Sequence, residues 1–237
     1  MKIKTAIIIV GGKGLRLRPY TDNIPKCMIK IAEEPLLYWI LEWLRNNGVE
    51  KVILGVDYKK EVIIEYIRQN DFGMKIVIND HTNAEGTGDA FRLAIENQCV
   101  DDEVFLAMNG DELTDVSLKN FLTFHNQYKP IATILLCPLK SPFGIVSVDS
   151  NHVVIEFQEK PILDEYFVNS GIYIFTQEIR KYLPEKGDIE RTTFRELAIM
   201  RKLAAFKYFG FWNTINNIKE LKDIEKNIDI LKETRED

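Results

Sequence analysis

The chain has 237 residues, which is enough for one large α/β domain. Its net charge of −5 argues against a general nucleic-acid binder, which would have a basic face. No apolar run approaches the roughly 20 residues of a membrane-spanning helix, and the apolar run near the N-terminus is too short for a signal peptide. Three cysteines, Cys27, Cys99 and Cys137, lie far apart without metal-ligand spacing. We therefore expect a cytoplasmic protein with neither nucleic-acid nor membrane partners.

The first half of the chain alternates buried-type strands with amphipathic helices. Strands are predicted at 6–10, 51–56, 74–78 and 104–108, and helices at 34–45, 60–69 and 87–97. Strands separated by helices of about ten residues favour a parallel sheet with right-handed crossovers. The predicted fold class is therefore α/β, with a doubly wound and mostly parallel sheet.

The second half has a different rhythm. Strand-like segments at 131–136, 144–148, 153–157 and 172–175 are joined by short turns, which predicts antiparallel additions to the sheet. A helix at about 193–202, a short strand near 206–209 and an amphipathic helix at 218–234 follow. The last helix is expected to dock on the domain or on a partner subunit, which would make the protein a homo-oligomer.

A glycine-rich segment, Gly11-Gly12-Lys13-Gly14, follows the first strand, and Arg16, Arg18 and Lys26 add positive charge behind it. Glycines let backbone N–H groups approach a ligand, and cations beside them suit phosphate. Taken alone, the glycines are explained equally well by a connecting turn. The dinucleotide pattern GxGxxG fails at Leu17, which argues against a dinucleotide-dependent oxidoreductase, and GxxxxGK[ST] has no match. We interpret the segment as a loop that binds a triphosphate.

The full array, Gly-Gly-x-Gly-x-Arg-x-x-Pro-x-Thr followed by Pro-Lys, resembles the signature of the sugar-1-phosphate nucleotidylyltransferases. Leu15 stands where the family usually has threonine. The resemblance implies that the loop binds the nucleotide, that Arg16 stabilises the departing pyrophosphate and that Lys26 binds nucleotide phosphates. The backbone donors of this loop would come from Gly11, Gly12 and Gly14.

A second segment, Asn83-Ala-Glu-Gly-Thr-Gly, opens the predicted helix at 87, and helix N-termini favour an anion or a polar base edge. It resembles the family's Leu-Gly-Thr-Ala-Gly loop, which contacts the nucleotide base. The resemblance implies nucleotide-binding roles for Glu85, Gly86 and Thr87. Glu85 replaces the leucine, and it either selects among bases or is simply solvated.

Asp111 follows the buried strand at 104–108, so it is expected beyond the carboxyl end of the sheet, where ligands bind. A carboxylate there suits Mg²⁺, and Gly-Asp after a strand resembles the family's metal-binding pair. Asp115 is expected to cap the next helix instead. The family's second metal-binding aspartate aligns with Thr214 or, in the better of two alignments, with Asn216, whose neutral oxygen binds Mg²⁺ more weakly.

Three later segments, at 143–149, 157–161 and 168–175, resemble the family's sugar-binding half in order and separation. Singly, each is a strand with a turn, and Glu159-Lys160 is explained by a surface turn before Pro161. The resemblance implies that Gly144 leaves room for the sugar, that Glu159 accepts hydrogen bonds from its hydroxyls, and that Lys160 pairs with the sugar phosphate. Asn169 and Gly171 would line the same pocket.

The sequence has no linker, repeat or low-complexity segment, so we expect a single domain over 1–237. The resemblance implies a nucleotide-binding half at 1–125 and a sugar-phosphate-binding half at 126–217, followed by the C-terminal helix at 218–237. It implies Mg²⁺-assisted transfer of a nucleotidyl group from a nucleoside triphosphate to a sugar 1-phosphate, by in-line attack without a covalent intermediate. Because Asn216 replaces an aspartate, a weak or inactive nucleotide-sugar-binding regulatory homologue is the alternative. Guanylyl transfer to mannose or heptose 1-phosphate, cytidylyl transfer to glucose 1-phosphate, and uridylyl and thymidylyl transfer all stay open.

Overall fold

A seven-stranded mixed sheet forms the centre of the protein in the computed structural model, which describes residues 2–98 and 100–226. The strands are β1 (Thr5–Ile9), β2 (Lys30–Ile31), β3 (Glu34–Pro35), β4 (Lys51–Val56), β5 (Lys75–Asp80), β6 (Val104–Asn109), β7 (Glu112–Thr114), β8 (Ala132–Lys140), β9 (Ile145–Val148), β10 (Val154–Gln158), β11 (Ile162–Thr176), β12 (Leu203–Lys207) and β13 (Trp212–Thr214). The α-helices are α1 (Leu36–Asn46), α2 (Lys60–Gln69), α3 (Thr87–Asn97), α4 (Leu118–Tyr128), α5 (Thr193–Ile199) and α6 (Ile218–Lys226).

The order of strands in the main sheet is β12-β8-β11-β6-β1-β4-β5. Strand β1 pairs in parallel with β4 and β6, and β4 pairs in parallel with β5. Strand β11 runs antiparallel between β6 and β8, while β12 lies parallel to β8. This topology confirms the predicted α/β fold, mostly parallel in its first half with antiparallel additions in its second half. The strands predicted at 144–148 and 153–157 are not among those additions, because β9 and β10 pair only with each other in a separate antiparallel sheet.

Both faces of the sheet are covered, because β1 sends alternate side chains into two apolar clusters. Ala6 and Ile8 pack with α1, α2 and α4 in one cluster, whereas Ile7 packs with α3 and α5 in the other. Full burial of a side chain such as Ile7 is worth about 1.5–3 kcal/mol relative to exposure. The sheet is thereby fixed between two helical layers, and its carboxyl edge is left free for a site.

Several element boundaries differ from the sequence predictions because tertiary contacts decide them. The strand predicted at 172–175 is the end of the 15-residue β11, whose first residues pair with the end of β8. The helix predicted at 193–202 stops at Ile199, because β12 begins at Leu203 and pairs with β8. Helix α6 buries Leu221 and Ile224 on the domain, and positions 227–234 of the predicted last helix lie outside the described residues.

The prediction that Asp115 caps the next helix is wrong. Ser117 is the N-cap of α4, and its hydroxyl accepts a hydrogen bond from the backbone N–H of Asn120. The Asp115 carboxylate instead accepts hydrogen bonds from the Tyr208 hydroxyl and, at 2.9 Å, from the backbone N–H of Phe211. Asp115 therefore fixes the segment before β13 and does not begin the helix.

No helix in the described part of the chain has the length and apolar character needed to cross a membrane.

Candidate active site

Asp111 lies beyond the carboxyl end of β6, at the centre of the sheet. Strand β6 is paired with β1 up to Ile9 and Asn109, and the backbone N–H of Gly110 donates to the Ile9 carbonyl at 2.8 Å. The glycine-rich segment that follows β1 and the aspartate that follows β6 therefore leave the sheet side by side. The structure places Asp111 where the sequence predicted it.

Lys26 links Asp111 to Asn216, which lies between β13 and α6. A short 3₁₀ turn, Lys26–Met28, carries the lysine under the glycine-rich segment, and its ammonium forms an ion pair with the Asp111 carboxylate. The same ammonium donates to Asn216 Oδ1 at 3.1 Å. Only 11% of the Lys26 side chain and 26% of the Asp111 side chain are exposed, so solvent screens this pair much less than it screens a surface pair.

Asn216, and not Thr214, shares the Lys26 ammonium with Asp111. Its side-chain N–H group donates to Thr214 Oγ1 at 3.2 Å, which leaves the amide oxygen directed at Lys26. Thr214 belongs to β13 and is paired in register with Glu112 of β7. The Glu220 carboxylate accepts from the Asn216 backbone N–H at 2.6 Å, so the start of α6 is held against the site.

The oxygen atoms around Asp111 suit a metal ion that is bound mainly through its substrate. Within residues 2–98 and 100–226, no group of three or more His, Cys, Asp or Glu residues is arranged to hold a metal. One carboxylate and one amide oxygen, from Asp111 and Asn216, converge on the Lys26 ammonium. Mg²⁺ is commonly held by one or two carboxylates together with substrate phosphates. The site therefore fits Mg²⁺ only when phosphates supply further ligands.

A first cleft of about 240 Å³ opens between the glycine-rich loop and the start of α3. Its wall includes Gly12, Lys26, Thr87 and Asp111. Gly14 turns the loop back in the left-handed region, with φ 59° and ψ 39°, and its carbonyl accepts from the Thr21 hydroxyl at 2.8 Å. The wall of this cleft thus combines glycine backbone and one cation with the Asp111 carboxylate, and the first two suit phosphates.

Arg16 stands apart from these groups. Arg16 is an exposed residue of a short 3₁₀ turn, Leu15–Leu17, which is anchored by the buried Leu17, and it has no ion-pair or hydrogen-bond partner among the described residues. The structure therefore does not bring Arg16 into contact with Lys26 or Asp111. Its guanidinium is free to pair with a ligand phosphate at the outer end of the loop.

The segment at 83–88, here called the base loop, rests on another loop at 184–192, here called the support loop. The Glu85 carboxylate forms an ion pair with Lys186 at 2.6 Å, and both side chains are exposed. Gly86 has φ +103°, and a Cβ added there would collide with the backbone of Gly187. Thr87 Oγ1 accepts from the backbone N–H of Ile189 at 3.1 Å. Sequence reasoning left Glu85 open between base selection and solvation, and it missed the support loop entirely.

A second cleft, of about 840 Å³, lies on the other side of Asp111. Among the residues predicted to bind sugar phosphate, Lys160 and Asn169 line it, and Asp111 and Asn216 belong to the same lining. Glu159 forms an ion pair with Lys160 at 3.1 Å, and one of its carboxylate oxygens lies 3.0 Å from the Cβ position of Gly144. The structure thus places Lys160 and Asn169 in the wall of this cleft, and Glu159 and Gly144 beside Lys160 but outside the lining.

Glu112 also lines this cleft and was missed in the sequence. Its buried carboxylate accepts a hydrogen bond from the Trp212 indole at 3.0 Å. Burial, followed by the neighbouring charge of Asp111, holds the pKa of Glu112 well above its ordinary value. The available signal was its position next to Asp111, although only the β7–β13 pairing shows that its side chain is buried.

Gly171 lies beside Glu112, which lines the second cleft, and we expect replacement of Gly171 by alanine to weaken both folding and sugar-phosphate binding. Its φ is +75°, and a Cβ would lie 2.7 Å from Asn109 Nδ2 and 3.0 Å from Glu112 Oε1. The left-handed backbone costs a non-glycine residue about 1–2 kcal/mol, and crowding adds to that cost. Urea unfolding and the KM for sugar phosphate measure the two effects.

Gly48→Ala is the matched control for Gly171→Ala. Gly48 has φ +77°, and nothing lies within 4 Å of its Cβ position. The control is expected to lose the backbone contribution to stability, of about 1–2 kcal/mol, with an unchanged KM. If both variants lost equal stability and kept the KM of the wild type, crowding at Gly171 would not matter.

The fold and these two clefts define an α/β protein with one carboxylate, Asp111, shared by two clefts. The sequence profile of the nucleotidyl transferase family matches residues 5–229. The chain belongs to this family, and among its relatives it belongs with the sugar-1-phosphate nucleotidyltransferases.

Three curated relatives illustrate the range of that group. The chain is 36% identical to the bifunctional protein GlmU of Methanococcus aeolicus, over 98% of the chain and 56% of the relative. It is 31% identical to a mannose-1-phosphate guanyltransferase of Yarrowia lipolytica, over 90% of the chain and 61% of the relative. It is 34% identical to a UTP–glucose-1-phosphate uridylyltransferase of Synechocystis sp., over 76% of the chain and 50% of the relative. The chain therefore spans about half to three fifths of the length of these relatives.

Solved structures confirm the fold. HddC from Yersinia pseudotuberculosis superposes with a TM-score of 0.74 at 24% identity, over 95% of this chain and all of that one. A second structure of HddC, complexed with GMP-PN, superposes with a TM-score of 0.73. Identity at this level establishes the shared architecture alone.

Proposed function

We propose that the protein transfers a nucleotidyl group from a nucleoside triphosphate to a sugar 1-phosphate and releases pyrophosphate. The observation that carries this proposal is the position of Asp111, which lines both the 240 Å³ cleft and the 840 Å³ cleft. A phosphate bound in either cleft would reach the same carboxylate and its partner, Lys26. The family relationship supports the same reaction class, because its members named above act on sugar 1-phosphates.

The proposed reaction needs no protein nucleophile. An oxygen of the sugar phosphate attacks the α-phosphorus in line and forms the new P–O bond. The bond from the α-phosphorus to its bridging oxygen breaks, and the electron pair leaves with pyrophosphate. Such transfers depend on positioning and on stabilisation of charge, which a fixed lysine and backbone amides supply.

Each charged residue has a separate part in this proposal. Amides of Gly11, Gly12 and Gly14, with Arg16, would bind the triphosphate and stabilise the departing pyrophosphate. Lys26 would bind the nucleotide phosphates near the reacting centre, and Lys160 would hold the attacking phosphate. Glu159, Asn169 and the space at Gly144 would position the sugar.

Asp111, the Asn216 amide oxygen and substrate phosphates would together hold Mg²⁺. When bound, the ion would neutralise part of the phosphate charge and align the two substrates. The protein's own contribution is to hold the Asp111 carboxylate and the Asn216 amide oxygen against the same Lys26 ammonium.

The direct test is a screen of GTP, CTP, UTP and dTTP, each with mannose 1-phosphate and glucose 1-phosphate, in the presence of Mg²⁺. Pyrophosphate release identifies the productive pair. The change in melting temperature on adding each triphosphate ranks the bases, because a ligand that binds only the native state stabilises it. The proposal requires release that depends on both substrates.

The second candidate function is a regulatory protein that binds nucleotide sugars without turnover, and Asn216 is the observation that favours it. We expect Asn216→Asp to lower the Mg²⁺ concentration for half-maximal pyrophosphate release by about tenfold, since about 1.4 kcal/mol of added charge attraction suffices for that change. A magnesium titration of the initial rate measures it.

Asn213→Asp is the control for added charge, because Asn213 lines the same cleft, whereas the side-chain acceptors of the Lys26 ammonium among the described residues are Asp111 and Asn216. It is expected to leave the magnesium titration unchanged. If wild type and Asn216→Asp both bound nucleotide sugars but neither released pyrophosphate, the regulatory function would replace the enzymatic one.

A further inference from the structure

A series of hydrogen bonds connects the base loop with the sugar-phosphate cleft through Glu190 of the support loop. Thr87 Oγ1 donates to Glu190 Oε2 at 3.0 Å. The Tyr173 hydroxyl donates to Glu190 Oε1 at 3.5 Å and accepts from Asn169 Nδ2 at 3.0 Å. Asn169 Oδ1 in turn accepts from the backbone N–H of Gly171 at 3.0 Å. One carboxylate thus uses both of its oxygens to join two separate ligand-binding elements.

The middle of this series is rigid. Tyr173 is fully buried, and its ring is stacked on Phe175 with centroids 5.6 Å apart and an interplanar angle of 4°. The rings of Phe194 and Phe91 pack against it edge-on, at 5.0 Å and 6.2 Å. Because the ring has no room to rotate away, movement of the Glu190 carboxylate changes the environment of the Tyr173 hydroxyl directly.

The two ends of the series are the parts that ligands touch in the proposed function. Thr87 is the first residue of α3 and lines the cleft beside the glycine-rich loop. Asn169 lines the 840 Å³ cleft, and its amide orientation is fixed because its oxygen bonds to Gly171 and its nitrogen to Tyr173. The second N–H of that nitrogen is left for a ligand in the cleft.

We propose that Glu190 is a positioning residue that couples nucleotide binding to sugar-phosphate binding, through Tyr173 and Asn169. This inference rests on the proposed function. A nucleotide that orders the base loop fixes Thr87 and therefore the Glu190 carboxylate, so that the Tyr173 hydroxyl keeps donating to Glu190 and accepting from Asn169. The cost of fixing the Glu190 carboxylate is then already met when the sugar phosphate reaches the second N–H of Asn169, so the second ligand binds more tightly. By thermodynamic reciprocity the sugar phosphate strengthens nucleotide binding by the same factor.

The experiment measures this coupling factor by calorimetry, in the presence of Mg²⁺. The productive sugar 1-phosphate from the screen, mannose 1-phosphate or glucose 1-phosphate, is titrated into protein alone and into protein saturated with the α,β-methylene analogue of the productive triphosphate. The ratio of the two Kd values is the coupling factor. We expect at least about fivefold in wild type, which is the lower end of typical allosteric couplings.

Two variants break the series at different bonds and keep the shapes of the side chains. Tyr173→Phe removes only the hydroxyl, and Glu190→Gln replaces one acceptor oxygen with a donor. Both are expected to reduce the coupling factor to below about twofold, with the Kd for the triphosphate analogue alone changed less than the ratio. Tyr208→Phe is the matched control, because that tyrosine also donates to a carboxylate, Asp115, but away from the series.

The outcomes separate the inference from the function on which it rests. A coupling factor that stays at the wild-type value in both variants, or that is absent in wild type, would overturn the role of Glu190 and leave the enzyme assignment standing. Loss of coupling in Tyr208→Phe as well would also overturn it, since general loosening would then be the cause. Wild-type protein that binds neither ligand and releases no pyrophosphate would overturn the proposed function first.

Discussion

Replacement of Asp111 by asparagine is expected to slow pyrophosphate release by about 100- to 1000-fold, the usual cost of removing one group that stabilises charge at a reacting centre. Asp111 is the carboxylate at the boundary of the two clefts, and it is paired with Lys26. Asparagine keeps the size and an acceptor oxygen for Lys26, so the change removes charge while it preserves packing. Initial rates at saturating magnesium and substrates measure the loss.

Asp115→Asn is the matched control for Asp111→Asn. Asp115 lies four positions further along, and its carboxylate is engaged by Tyr208 and by the backbone of Phe211. Its replacement is expected to lower the melting temperature and to leave the rate within about threefold of wild type, because buried hydrogen bonds to charged groups are worth about 1.5–3 kcal/mol in stability. Full turnover by Asp111→Asn with every substrate pair would rule out the proposed mechanism.

Lys26→Gln is expected to reduce kcat/KM by a similar factor, about 100- to 1000-fold, because a fixed cation is lost from the centre of the site. The lysine is held by Asp111 and by the Asn216 amide oxygen. Its removal also leaves the partly buried Asp111 without a counter-charge, which destabilises a protein strongly when both partners are desolvated. Steady-state kinetics and urea unfolding measure the two consequences.

Lys30→Gln controls for the loss of one positive charge, since Lys30 is exposed and its nearest carboxylate, on Glu33, is 4.0 Å away. It is expected to behave as wild type. The double variant Asp111→Asn/Lys26→Gln is expected to be only slightly slower than either single variant, because residues that act as a unit lose their contributions together. If the rate losses of the two single variants multiplied in the double variant, the two residues would act independently.

Local patterns were reliable where a segment's own residues decide its structure. The alternation of apolar strands with helices of about ten residues gave the parallel half of the sheet, and α3 begins and ends at the predicted residues. Asp111 was found because a strand's carboxyl end can be recognised from the apolar run before it. In contrast, the Asp115 prediction failed because a hydroxyl 93 positions away competes for that carboxylate.

The sequence by itself determined the fold class, the loop of glycines and cations, and the aspartate after β6, because each depends on residues that are neighbours in the chain. Only the tertiary structure decided what those groups face. It paired Lys26 with Asp111 across 85 positions, and it set Asn216, not Thr214, beside them. It also placed Glu190 between Thr87 and Tyr173. Such contacts depend on how the sheet brings distant strand ends together, and no local pattern of residues encodes that arrangement.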